Sequence, residues 1–256
     1  LRHWHLSLTM LLTLGALLVS CSTLAQAAAK HNIPSYIQIC KRNDPHLEDC
    51  ILDSVEKLRP KLKTGIPELD VPGLEPLVLP VVDVSRGTGV RARGSNVTIR
   101  GASNFKVTNL KADLNNTKFY IGIKIPFLTF DAQYEVNARI LVVPLKGKGP
   151  IKANATDVEG NAVLNGRKIS HDGDTYVDFT DLKLNLDISN YNVHLDNLFN
   201  GNKELGEAVN LALNDNKREF MEALRPVVER IVANVLLDIA NKITKNFTYD
   251  ELFPLN

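Results

Sequence analysis

The chain has 256 residues and 44% apolar content, enough for one large domain with its own core or for two small ones. It carries 30 Lys and Arg against 29 Asp and Glu. That balance lacks the basic excess by which proteins hold nucleic acid, so nucleic acid is not an expected partner.

Residues 1–27 read as a secretory signal. Arg2 supplies a basic start, Leu6 to Val19 a short apolar run, and Ala25-Gln26-Ala27 a small-residue cleavage site. Ser7, Thr9, Thr13 and Gly15 break the run, which is too short to serve as a membrane anchor. The remainder, 28–256, is expected to be a single secreted, extracellular domain. Cys21 leaves with the signal, and Cys40 and Cys50 remain. Two thiols in an oxidising compartment point to a disulfide. A metal pair is the alternative, with no His or further Cys in a pattern to complete it. Four N-x-[ST] sequons, at Asn96, Asn115, Asn154 and Asn246, fit a secreted glycoprotein with those positions on the surface.

Asp44-Pro45 predicts a helix start, followed by an apolar face of Leu47, Ile51, Val55, Leu58 and Leu62. Pro60 should kink or end it, and Gly65 stop it. Thr64 to Pro80 holds too many Gly and Pro for a regular element and too many aliphatics for a solvated linker. It is expected to lie extended along the body.

From Val81 to Leu198 the pattern has period two, the signature of antiparallel sheet with one wet face. Phe119, Ile121, Ile123, Ile125 and Phe127 alternate with more polar neighbours. Beyond them the phase changes to Leu128, Phe130, Ala132, Tyr134, Val136, Ala138, Ile140 and Val142, one long half-buried strand with a bulge or bend predicted near Pro126 to Leu128. Leu182, Leu184, Leu186 and Ile188 repeat the alternation. Asn165-Gly166 and Asp172-Gly173 read as hairpin turns, and Gly147-Lys148-Gly149-Pro150 as a turn between strands.

Gly201 to Phe247 reads as helix, about 45 residues or roughly 65 Å. Phe220, Leu224, Val228, Ile231, Val235, Ile239 and Ile243 recur at steps of three and four. Between Ile231 and Ala240 only Asn234 and Asp238 are polar, so the rest of the chain must enclose this segment. One helix kinked at Pro226 is the first expectation. Two helices, the second capped by Asn214-Asp215-Asn216 and starting at Lys217, is the alternative. Arg225/Glu229 and Asp238/Lys242 read as surface pairs. The economical fold is α+β: a curved antiparallel sheet wrapped around a long C-terminal helix.

Catalytic patterns are not evident. There is no G-x-S-x-G elbow, and Gly87-Thr88-Gly89 lacks dinucleotide-loop spacing. Asp172, Asp174, Asp178 and Asp181 lack the glycine of a calcium loop. His31, His46, His171 and His194 have no ligand-spaced partner, and no metal or cofactor is expected. Arg86, Arg91, Arg93 and Arg100 read as solvated strand-edge cations, with docking to anionic lipid or to a partner as the alternative.

Several segments together resemble the takeout/juvenile-hormone-binding family of insects, related to the tubular lipid-binding superfamily. They are Cys40 and Cys50 with Asp44-Pro45 between them, Gly65-Ile66-Pro67-Glu68-Leu69, Leu74-Glu75-Pro76-Leu77, Gly101 to Leu114, Gly147-Lys148-Gly149, Asn197 to Gly201 and Asp250 to Pro254. The resemblance implies a secreted, non-enzymatic carrier with an internal hydrophobic tunnel for an elongated ligand, lipidic or like juvenile hormone. It also implies links to circadian output, feeding or chemosensation. The disulfide would shape one end of the tunnel. Haemolymph hormone carriers have a second disulfide, and this chain has no further mature Cys, which favours a takeout-like member. The expected lining is Phe119, Ile121, Ile123, Phe130, Tyr134 and Val136 from strands and Phe220, Leu224, Val228, Ile231 and Val235 from the helix. Membrane contact is expected to be at most transient. The competing expectation is an interaction protein with a filled core.

Overall fold

The computed structural model describes residues 33–83 and 91–255; the expected signal segment 1–27, Arg86 and Gly87 to Gly89 lie outside them. A helix α1 (Leu47–Thr64) is followed by strands β1 (Leu77–Asp83), β2 (Arg91–Arg100), β3 (Lys106–Asp113), β4 (Lys118–Ile140), β5 (Val143–His171) and β6 (Asp174–Leu195). Helices α2 (Lys203–Asp215), α3 (Lys217–Thr244) and α4 (Tyr249–Leu252) close the order. The six strands form one antiparallel sheet, β1-β2-β4-β5-β6, with β3 pairing the other half of β4. The sheet is curled and does not close, so β1 and β6 are edges.

Of the bulge or bend expected near Pro126 to Leu128, there is no bulge. β4 and β5 keep one register through the phase change, with Ile125 opposite Val158 and Phe127 opposite Thr156. In β4 the inward residues pass from Phe119 and Ile121 to Phe130, Ala132 and Tyr134. In β5 they pass from Leu164, Ala162 and Val158 to Ala153 and Ile151. In β6 they pass from Leu186 and Ile188 to Tyr191, Val193 and Leu195. Three strands turn over at one level, with Asp157 at φ 50° beside it. The concave side is thereby divided into two halves.

The free edge of β6 is covered by side chains rather than by a strand. A primary amide carries a donor and an acceptor and can stand in for a missing peptide. Asn210 of α2 bonds Leu195 N–H and C=O at 2.9 and 3.0 Å. Asn214 bonds Val193 at 2.9 and 2.8 Å, and Asn241 of α3 bonds Phe179 at 2.9 and 2.8 Å. Glu229 accepts from Leu186 N–H at 2.9 Å. An otherwise open ladder is thus paired with the helices, which also blunts it against aggregation.

Several local expectations are corrected. The C-terminal segment is two helices broken at Asn216, not one, and Pro226 lies within α3 without ending it. α1 begins at Leu47; Asp44 instead accepts from His46 N–H in a preceding turn. Pro60 sits inside α1 without ending it, whereas Gly65, at φ 95°, stops the helix as expected. The Gly/Pro connector contains a 3-10 turn (Pro67–Leu69) and the start of β1. Asp172-Gly173 is a hairpin turn as expected, but Asn165-Gly166 is continuous β5 strand, opposite a one-residue bulge at Thr180 of β6. Gly147 to Pro150 is strand: a Cβ at Gly147 would lie 2.9 Å from the Tyr134 hydroxyl and one at Gly149 2.6 Å from Asp196 C=O. Glycine is there because the 196–198 segment crosses β5 at backbone distance. β2 lies between β1 and β4, so Arg93, opposite both Asp83 and Glu135, is not an edge cation, and Arg91, Arg93 and Arg100 are all solvent-exposed. Arg225 and Glu229 do not pair, since Glu229 serves β6 and Arg225 Nε is buried without a partner. Lys242 reaches Asp238 and Asp70, each at 3.1 Å.

Candidate ligand-binding site

Each half of the concave side holds an apolar cavity. The larger, about 500 Å³, lies between the sheet and the first half of α3. Its walls include Leu79, Val97, Phe130 and Tyr134 from strands, with Leu224, Val228 and Ile231 opposite on the helix. The smaller, about 280 Å³, is enclosed by Ile51, Val55 and Leu58 of α1, Phe119 and Phe179 of the sheet, and Ile243 and Phe253 near the C-terminus. The two share no lining residue.

The expected lining residues divide accordingly. Phe130, Tyr134, Val136, Leu224, Val228 and Ile231 meet around the larger cavity, and Phe119 and Ile121 border the smaller. Ile123, Phe220 and Val235 line neither. Phe220 is buried in the core with Tyr134, Leu198 and Leu213, and Val235 packs on the Ile66–Val71–Ile239 cluster. Ile123 is half-buried at the level where the strands turn over. Sequence periodicity names a face; which part of the face meets a cavity depends on what packs opposite.

The two phenols in the wall of the larger cavity are bonded to backbone carbonyls. The Tyr134 hydroxyl donates to Asp196 C=O at 2.6 Å, and that of Tyr191 to Leu213 C=O at 2.9 Å. Burial, then the negative charge of Asp196, pushes the Tyr134 phenol up to about 12. Burial, then Glu219, raises that of Tyr191. Both phenols therefore stay neutral and present only ring faces inward. The wall is suited to a hydrocarbon body and offers a ligand few hydrogen bonds. Tyr191, Met221, Leu145 and Val193 also line it and were not singled out from sequence. Among the described residues no group of three or more His, Cys, Asp or Glu is placed to hold a metal.

The smaller cavity is bordered by the segments 37–40 and 249–253. Cys40 and Cys50 are joined in a disulfide, which fixes 33–44 to α1. Arg42 pairs with Asp250, donates to Phe253 C=O at 2.6 Å and covers the Tyr249 ring at 4.5 Å. Thr248 and Glu251 form a reciprocal capping box on α4. Thr248 also completes the Asn246 sequon, and Asn246 Nδ2 donates to Lys242 C=O at 2.9 Å. Asn96 and Asn115 are exposed, whereas Asn154 and Asn246 are half-buried.

Residues 16–254 match the family model described as haemolymph juvenile hormone binding protein (JHBP). The chain belongs to this family. The Drosophila melanogaster circadian clock-controlled protein daywake is 28% identical over 246 residues, covering 92% of each chain. A provisional beta-carotene-binding protein of Schistocerca gregaria is 23% identical over 222 residues, covering 85% of this chain and 88% of the relative. The crystal structure of Epiphyas postvittana Takeout 1 superposes with a TM-score of 0.71 at 22% identity, over 85% of this chain and 99% of that one. It carries the fold. The JHBP family is one of carriers for small hydrophobic ligands, described from haemolymph. No helix among the described residues is long and apolar enough to cross a membrane.

The family-like segments have physical work in this chain. Glu75 accepts from Gly101 N–H at 2.8 Å and the Ser103 hydroxyl at 3.2 Å, which ties Leu74-Glu75-Pro76-Leu77 to the Gly101 turn. Gly101 stands at φ 91°, and a Cβ there would meet Phe127 C=O at 2.3 Å. Arg59 joins the same junction through Ser103 C=O at 2.8 Å and the Phe105 ring at 4.2 Å.

Proposed function

We propose that this protein is a secreted carrier whose ligand is an elongated, almost wholly apolar molecule, lipidic or terpenoid, held in the larger cavity. The observation that carries the reading is a void of about 500 Å³ whose wall is nearly free of polar atoms. That volume falls within the about 300–1,000 Å³ usual for ligand sites. A well-packed core leaves few voids larger than a water molecule, so a filled-core protein would not keep this space. The beta-carotene-binding relative supports a ligand with little polar surface. The daywake relative supports a role in circadian physiology. Ligand-facing roles are assigned to Phe130, Tyr134, Val136, Leu224, Val228 and Ile231, which border the larger cavity.

Burial of apolar carbon contributes about 0.8 kcal/mol per CH₂. A chain of about 12–15 carbons therefore gains about 10 kcal/mol before ordering costs, consistent with micromolar dissociation constants. The test is native mass spectrometry with organic extraction of the protein secreted from insect cells. A solvent-removable hydrophobic molecule of a few hundred daltons is expected. A clean apo mass, with no uptake of fatty acids or a juvenile-hormone analogue, would reject the carrier in favour of an interaction protein.

A further inference from the structure

The β4–β5 hairpin breaks the rule that the β5–β6 hairpin obeys. Two-residue hairpin loops favour Gly, Asn or Asp, because at least one residue must take positive φ. Asp172-Gly173 follows this. At the other hairpin Ile140 pairs with Val143 across Leu141-Val142, and Leu141 is held at φ 53°. An aliphatic residue is strained there. These two side chains also do not pack away: Leu141 is 54% and Val142 85% exposed. The loop thus gives up turn stability while holding two large apolar groups in water. Local rules broken without local compensation mark functional positions.

The surroundings indicate what covers the tip. On the outer face just behind it, Arg139, Lys146 and Lys148 are exposed, with Arg91 and Arg93 of β2 alongside through pairing to Asn137 and Glu135. The acidic side chains in the same patch are Glu135 and Asp83, the latter opposite Arg93. Apolar residues at a tip with a cationic collar complement a bilayer of anionic lipid: the side chains enter the interface and the cations meet headgroups. On the inner face, the flanking Ile140 and Leu145 line the larger cavity.

We infer that the Leu141-Val142 tip and its Arg139/Lys146/Lys148 collar form a docking site for an anionic lipid surface, which brings that end of the cavity to the bilayer. Uptake of ligand there rests on the carrier reading; the docking itself does not. The experiment is co-sedimentation of the folded protein with phosphatidylcholine vesicles, with and without phosphatidylserine. Wild type should bind the anionic vesicles and lose binding in high salt. Leu141→Gly/Val142→Ser restores favoured turn chemistry, so its thermal midpoint should hold or rise while vesicle binding falls about tenfold. Lys146→Glu/Lys148→Glu should fall at least as far on anionic vesicles. Binding of a fluorescent fatty acid in solution should be unchanged in both variants, which separates this site from the cavity. Wild type that ignores anionic vesicles, or a tip variant that binds them as well as wild type, overturns the proposal. Concentration-dependent dimerisation abolished by the tip variant, without vesicle binding, would assign the tip to a second copy and overturn it equally.

Discussion

Replacing Asn210 tests whether amide side chains really complete the edge of β6. Asn210 is 8% exposed and makes two hydrogen bonds to one peptide, at 2.9 and 3.0 Å. Asn210→Leu keeps the size and apolar character of the α2 face but strands the Leu195 N–H and C=O. An unsatisfied buried polar group costs about 1–3 kcal/mol. Two groups with partial relief by water lead to an expected loss of about 2–4 kcal/mol. For a domain of this size, about 1 kcal/mol moves the thermal midpoint by about 2–4 °C, so a drop of about 10 °C is expected. The assay is urea denaturation followed by circular dichroism, with calorimetry for the midpoint. Asn216→Ala is the control: its side chain bonds Ala212 C=O at an exposed helix end, and it should cost under about 1 kcal/mol. An Asn210→Leu protein within about 0.5 kcal/mol of wild type would refute the edge-completion argument, because burial of an unpaired peptide cannot be that cheap.

Further outcomes follow from the same geometry. Val228→Trp or Ile231→Trp should fill the larger cavity and weaken fatty-acid binding at least about tenfold in a folded protein; unchanged affinity in a titration would remove the assigned lining. Cys40→Ser/Cys50→Ser should cost about 2–3 kcal/mol in denaturation and loosen the 33–44 segment, seen as faster hydrogen exchange there. Gly147→Ala should destabilise by about 1–3 kcal/mol through collision with the Tyr134 hydroxyl, and Gly147→Ala/Tyr134→Phe should recover part of that loss. The Tyr134 phenol has a folded pKa of about 12, raised above its ordinary 10.0. Its contribution is therefore complete below about pH 10 and lost as pH rises through about 12. Tyr134→Phe should flatten the stability profile in that window; an unaltered alkaline profile would show that the phenol is not held neutral by burial.

Sequence by itself determined the class of this protein. Period-two alternation across 118–140 and 182–188 requires a sheet with one apolar face, and a helix apolar at Leu224, Val228 and Ile231 requires something to face it. These are local properties of residue spacing, so they are legible without coordinates. The Cys40/Cys50 pair and the helix boundary at Asn214-Asp215-Asn216 were legible for the same reason, although the single-helix reading stood first. Tertiary structure decided the rest. Ile123 belongs to the same apolar stripe as Phe119 and Ile121, and Phe220 and Val235 to that of Val228, yet they miss both cavities, because whether an apolar residue lines space or fills it depends on the opposing element. Gly147 and Gly149 looked like a turn because their meaning lies in the 196–198 segment that crosses them. Asn210 and Asn241 looked like ordinary polar positions, since the peptides they complete belong to a strand brought beside them only by the fold. Val142 reads from spacing as the last inward position of the β4 alternation, and the structure corrects this: the strand ends at Ile140, and Leu141 and Val142 form a two-residue turn whose side chains stand in water.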